Sequence, residues 1–447
     1  MKRTDRKTIY SLTKNYMNFN RKKLDVAVLA AAMLLSSSAQ AQTPITLFPA
    51  QSGTNYHRIP SIARLNNGNL TAYSDLRING SGDVGYNAIS VVGRTSSNDG
   101  ATWTAESTDI QGNGSGADYA HGDAATVVDR ESGKILLMTS TGKTGWPSST
   151  RENRVQVGYS LSSDGGVNWT TQNCTDQVYQ DAFDKLFFSS GRIIQSTVCK
   201  TGKYYRIYSG VNTRPGGSRV AYSDDFGATW HYLGGIAAIP AEDGDECKVE
   251  ELPSGDILLS CRRQSGPGRY FNVFVFTDRD KGEGSWGKVV TSGDSNIPGQ
   301  TFAATCNGEI LLVPALRASD NTPTYVLLQS AAASTNRENV SIYYKELPAD
   351  YTSPSSYLDG WGKYQVSTST SCYSTMVLDK KGDVAFLYEE NANGGYDIVF
   401  KSLPLSTITG NAYRYQAGGK GRYITTSEPT STCKHCKVSA SACSATK

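Results

Sequence analysis

The sequence predicts an all-β chain folded as a six-bladed β-propeller. Three observations lead there. One pattern, Ser-x-Asp/Asn-x-Gly-x-Thr/Asn-Trp, occurs three times: SSNDGATW at 96–103, SSDGGVNW at 162–169 and SDDFGATW at 223–230. The copies start 66 and 61 residues apart, the span of a four-stranded blade. Between them run short alternating stretches such as YNAISVVGRT, VQVGYSLS, DILLSCR, YFNVFVFT and VSIYYKEL, set off by Gly, Asn and Asp, and no persistent amphipathic helix follows residue 42. Residues 43–415 number 373, which at that spacing makes about six blades.

Residues 1–42 read differently. A basic stretch ending NRKKLD precedes the apolar run VAVLAAAMLL and the small-residue site AQAQ, the order of a secretory signal peptide cleaved near Ala41. The expectation is an exported protein, secreted or periplasmic. The leader carries eight Lys/Arg and two Asp, so it accounts for +6 of a chain charge that totals +3 (44 basic, 41 acidic), and the remainder is about −3. A slightly acidic mature chain points away from nucleic acid, and no apolar run after the leader approaches the ~18 residues of a spanning helix.

Each repeat has the chemistry of a hairpin turn. Asp or Asn bonds back to the backbone, Gly supplies the left-handed φ, and Trp anchors the turn on apolar neighbours. A decayed fourth copy is expected in TDRDKGEGSW, 277–286. Nine cysteines, an odd number, leave one unpaired if the rest are bridged, and their spacing does not give connectivity. Residues 416–447 lack strand pattern and carry Cys433, Cys436 and Cys443; CKHC is only half of a zinc-ligand pattern, so a disordered tail without a metal is expected.

The three boxes resemble the Asp boxes of the bacterial-type sialidase (neuraminidase) family, where they occupy blade turns away from the pocket. YHRIPS at 56–61 is similar to that family's Arg-Ile-Pro signature. The resemblance spans about residues 50–400 and implies that Arg58, Arg262 and Arg337 form a triad gripping the carboxylate of sialic acid. Three guanidiniums suit that task because each offers planar, charge-assisted hydrogen bonds that lysine does not. Arg263 is the rival to Arg262, since adjacent strand residues face opposite ways.

The resemblance also implies the chemistry. Asp83, in SDLRINGSGDVGY, takes the acid/base position, where a loop carboxyl held in a pocket can protonate the leaving oxygen. Arg77 and Asp123 would line the pocket near the ring substituents, or else form a structural ion pair. Tyr373, in TSCYSTMVL, would be the nucleophile, Glu246 its base (with Glu250 and Glu251 as rivals), and Glu389 the carboxylate orienting Arg58 from behind. A neutral phenol avoids the like-charge repulsion that a carboxylate nucleophile meets at an anomeric carbon bearing its own carboxylate. Two displacements, through a tyrosyl-sugar intermediate, would retain configuration.

The implied protein is an exo-α-sialidase with no cofactor or metal, acting on sialylated glycoproteins, glycolipids or oligosaccharides. A trans-sialidase would use the same residues. A non-catalytic sialic-acid-binding propeller would need neither Tyr373, Glu246 nor Asp83. The N-acetyl pocket has no evident signal; Trp146, in KTGWPSST, reads as a packed side chain before a ligand contact.

Overall fold

The computed structural model describes residues 43–292, 302 and 306–416, so the expected leader and the cysteine-bearing tail fall outside the described residues. The described residues form six sheets, one per blade of a propeller, antiparallel apart from a short parallel pairing of Gly191–Arg192 with Ala125 and Thr126. Blade 1 runs Asn55–Arg64, Leu70–Arg77, Ile89–Ser96 and Ser107–Ile110. Blade 2 runs His121–Val128, Ile135–Thr141, Gln156–Ser162 and Thr170–Asn173. Blade 3 has a broken inner strand, Lys185–Phe188 and Ile194–Lys200, against Tyr205–Arg214, then Gly217–Ser223 and His231–Tyr232. Blade 4 runs Gly244–Glu251, Ile257–Arg263, Arg269–Asp278 and Glu283–Trp286. Blade 5 runs Ile310–Arg317, Pro323–Ala331, Ser341–Glu346 and Gly362–Gln365.

Blade 6 takes three strands from the end of the described chain, Ser371–Leu378, Val384–Asn393 and Gly395–Leu403. Its fourth comes from the beginning: Ile45–Phe48 pairs with Ile398–Phe400. Early and late segments thus share one sheet, and the ring is closed by an antiparallel ladder.

Blades pack face to face, so their central strands are buried on both sides and read as nearly continuous apolar runs. Ile135–Thr141, ILLMTST, is buried at every position. Leu136 and Met138 of blade 2 meet Phe188, Ile207, Val211 and Trp230 of blade 3 in one cluster. Leu258 and Phe271 of blade 4 meet Leu327 and Tyr343 of blade 5 in another. The six described cysteines are free thiols; Cys247 faces Cys261 across adjacent strands. A core of this size needs no covalent staple.

The repeats are the hairpins between third and fourth strands. Ser162 Oγ accepts from the Gly166 amide at 2.9 Å, and Asp164 Oδ1 accepts from the Asn168 amide at 2.9 Å. Asn98, where the other copies have Asp, does the same work: its Oδ1 accepts from the Thr102 amide at 2.9 Å. In the first two copies the indole N–H of Trp103 or Trp169 donates to its own turn glycine. In the third, Trp230 turns into the core against Phe188, ring centroids 4.9 Å apart. In the decayed copy Trp286 instead donates to Leu233 of the neighbouring blade at 3.1 Å.

Trp230→Ala is expected to lower unfolding free energy by ~3–5 kcal/mol, the cost of deleting a large buried aromatic. Chemical denaturation measures it, and a loss no greater than that of an exposed substitution would contradict the packing assignment.

Candidate active site

Strand direction decides where the site forms. Arg58 begins the inner strand of blade 1, and its neighbour strand ends at Arg77, paired with Tyr56. The third strand then descends, so the Asp-box turn at Ser96 opposite Leu70 lies at the far end of the blade. The same rule collects Asp123, Glu246 and Tyr373 from the starts of inner strands and Arg262 and Glu389 from the ends of second strands. Asp83 and Arg337 lie in the loops between second and third strands. All therefore sit at one end of the ring.

Four inner strands carry a register irregularity at the site residue: between Arg58 and Ser61, Gly122 and Ala125, Gly244 and Cys247, and Ser371 and Ser374. A bulge re-aims a side chain and ends regular pairing. In blade 1 it explains the Arg-Ile-Pro sequence. Ile59 adopts φ 59°, a region β-branched residues avoid, and Pro60 has no amide to leave unpaired. The Ile59 amide donates instead to Glu389 Oε1 at 2.9 Å.

Glu389, fully buried, also takes Arg58 in a two-pronged contact, Nε to Oε1 at 2.7 Å and Nη2 to Oε2 at 3.3 Å. Burial works against the Arg58 charge, but the Glu389 carboxylate more than offsets it and holds the pKa well above the ordinary value. The other face of Arg58 lies over Tyr396 at 4.9 Å and Tyr373 at 5.5 Å.

Tyr373 is the convergence point. Arg262 Nη1 donates to its hydroxyl at 3.4 Å and to Glu246 Oε2 at 2.8 Å. Arg337, itself at φ 59°, lies over the Tyr373 ring at 5.9 Å. Arg262 thus bridges the Tyr373 hydroxyl and the Glu246 carboxylate. Burial raises the Tyr373 pKa well above that of a free phenol, with Glu246 adding to it and Arg262 opposing. Burial also raises Glu246, against the pull of Arg262, which makes it a stronger base than an exposed glutamate.

A second cluster faces this one. Arg77 Nη2 contacts Asp83 Oδ1 at 3.0 Å and Asp75 Oδ2 at 3.4 Å. Asp75 is fully buried, and its Oδ1 accepts from the amide of Asp123, held at φ 57°. Gly122 gives room here: a Cβ would stand 3.2 Å from Asp75 Oδ2 and 3.0 Å from Val84, so both side chains would have to shift by a few tenths of an ångström. Burial raises Asp123 well above the ordinary carboxylate value, with Asp83 and Asp75 reinforcing it.

The rivals separate cleanly. Arg263 turns away to the Pro267 carbonyl at 3.1 Å. Glu250 pairs with Arg192 at 2.6 Å and Glu251 accepts from the Thr197 amide at 2.6 Å, both toward the opposite mouth of the ring. Trp146 packs edge-on against Phe187 at 5.0 Å. Sequence reasoning left out Asp75, Asp245 and Tyr396. Asp75 stands two residues before Arg77 on one strand, hence on the same face, a signal present in SDLR. Asp245, beside Arg262 Nε at 3.6 Å, and Tyr396 had no sequence signal.

Fold and site together define a six-bladed propeller whose pocket gathers arginines from three blades around a buried tyrosine. The family described as BNR repeat-like domain matches residues 79–385. A sialidase of Micromonospora viridifaciens is 28% identical over 346 residues, 74% of this chain and 50% of that protein. A sialidase of Clostridium perfringens is 25% identical over 373 residues, 79% of this chain and 92% of that protein. The match thus spans about half the length of the first relative. Among solved structures, the Hadza microbial sialidase Hz136 superposes with TM-score 0.60 at 22% identity, covering 79% of this chain and 66% of that one. A leech intramolecular trans-sialidase gives TM-score 0.64 at 15% identity, covering 85% and 73%. The chain belongs to the BNR repeat-like family, and the curated relatives it is similar to are sialidases.

Burial lifts the Asp75 carboxyl to about 7, with Arg77 opposing and Asp83 reinforcing; Arg58 also opposes, as does the Asp123 amide. A folded-state value above the unfolded ~3.9 means this contribution to stability is complete below about pH 4 and is lost as pH rises through about 7. Asp75→Asn should flatten that fall. Melting temperatures of wild type and variant between about pH 4 and about pH 8 test it; parallel curves would show that Asp75 does not titrate in this window.

Proposed function

We propose that the chain is an exo-α-sialidase that releases terminal sialic acids with retention, through a tyrosyl-sugar intermediate. The observation that carries this is the setting of Tyr373, with its hydroxyl joined to Glu246 through the Arg262 guanidinium and its ring beneath Arg58 and Arg337. Arginines from three blades suit one carboxylate, and the carbon bearing that carboxylate would then lie against the phenol.

In the first displacement Glu246 takes the phenolic proton as the oxygen attacks the anomeric carbon. Burial makes Glu246 a stronger base, which favours the transfer, while the same burial holds the Tyr373 phenol neutral and opposes it. Arg262, bonded to both, stabilises the charge as it moves. Asp83, on an exposed loop but tied to Arg77, protonates the leaving oxygen. In the second displacement Asp83 draws the proton from water, the C–O bond to Tyr373 breaks, and the phenol recovers its proton from Glu246. Sialylated glycoproteins, glycolipids and oligosaccharides are the substrates this reading implies, and export through the basic–apolar leader is proposed with it.

Tyr373→Phe should lower kcat on a fluorogenic sialoside by about a thousandfold or more, as loss of a covalent nucleophile does, with the melting temperature little changed. Near-wild-type turnover would remove Tyr373 from the mechanism. Arg337→Ala should raise KM by about 10- to 100-fold, the scale of a charge-assisted hydrogen-bond pair. An unchanged KM would exclude Arg337 from carboxylate binding.

A further inference from the structure

Tyr86 stands apart among the aromatic residues. At 64% exposure it is the one Phe, Tyr or Trp among the described residues that is exposed, the others being buried or half-buried. It also lies three residues after Asp83, in a turn closed by its own amide donating to the Asp83 carbonyl at 2.9 Å.

The backbone beneath the ring is anchored. Gly85, at φ 94°, approaches Gly145 so closely that a Cβ would meet its nitrogen at 2.2 Å. Val84 is buried with Ile89 and Ala120, and the Ser81 carbonyl accepts from Arg77 at 3.0 Å. A fixed loop therefore presents an aromatic face to solvent instead of burying it. Tyrosine is suited to such presentation, since it offers a rigid amphipathic surface that loses little conformational entropy when covered. Tyr119 packs against the Val84 group and carries Lys143 over its ring at 4.9 Å.

We infer that Tyr86 is the platform for the sugar ring on the leaving-group side of the scissile bond. The inference rests on the sialidase reading, because that reading puts the departing oxygen at Asp83. The first ring of the leaving group must then lie beside the Asp83 loop, outside the arginine-lined pocket, where Tyr86 stands. A pyranose has an apolar C–H face that matches an aromatic face. A leaving group with no ring offers nothing to cover Tyr86. The residue therefore selects pyranoside over simple alkyl sialosides, and acts on substrate choice while the chemistry remains with Asp83, Tyr373 and Glu246.

The test compares 3′-sialyllactose with methyl α-sialoside for wild type, Tyr86→Ala and Tyr86→Phe. Tyr86→Ala should reduce kcat/KM on sialyllactose about fivefold to tenfold more than on the methyl glycoside, the size of one lost aromatic-face contact. Tyr86→Phe, which keeps the ring, should preserve the wild-type ratio. Equal losses on both substrates would mean the ring only supports the loop, and no loss on either would mean it touches no leaving group; each overturns the inference. A Tyr86→Phe as defective as Tyr86→Ala would assign the effect to the hydroxyl and overturn it too. A wild type inert toward both substrates would instead defeat the sialidase reading itself, and the platform with it.

Discussion

One buried carboxylate holds the pocket in shape. Glu389 bonds the Arg58 guanidinium, the Ile59 amide and the Tyr373 amide, the last at 3.2 Å. A single group thus joins the first and last blades at the pocket and satisfies the amides that two bulges would leave unpaired. Backbone N–H groups buried without partners are costly, and so is a residue such as Ile59 held at positive φ, at ~1–3 kcal/mol. Glu389 offsets both. With Arg58 pinned from behind, the guanidinium face over Tyr373 and Tyr396 has one orientation and needs no rearrangement to meet an anion.

The charge arrangement follows a consistent logic. Arg58, Arg77 and Arg262 each contact carboxylates at the pocket, so cations are kept inside the protein without leaving the site strongly positive. The carboxylates carry the burden instead. Asp75, Asp123 and Glu246 are all pushed toward the neutral form, by burial first and by one another second. Resistance to ionisation makes Glu246 a better proton acceptor and ties Asp75 to a positioning role, as it holds both Arg77 and the amide of Asp123. Stability and reactivity are coupled here through the same desolvation.

Much of this was legible in the residues. The Ser, Asp and Gly of each box act within eight residues, so the turn can be read locally, and Asn98 shows that an amide oxygen accepts as well as a carboxylate does. The Arg-Ile-Pro signature marks a bulge that suits Pro60, which lacks an amide, and strains Ile59, whose amide finds Glu389 instead. Asp75 was legible in principle, from its two-residue spacing to Arg77 on a strand. Tyr396 was not: it follows a Gly-rich turn, and nothing local reveals that Arg58, more than 300 positions earlier, lies 4.9 Å from its ring.

The sequence by itself determined the kind of sheet, its repeat, the turns and the residue types able to grip a carboxylate, because each depends on neighbours a few positions away. It also set strand direction, and with it the rule that starts of inner strands and ends of second strands share one end of the ring. Tertiary structure alone decided that Ile45–Phe48 completes the sheet of Gly395–Leu403 and that Glu246, Arg262 and Tyr373 touch. It likewise decided that Trp230 turns inward while its counterparts face their own turns. These contacts depend on how the blades close and pack against one another, and packing between distant segments leaves no periodic mark on the chain.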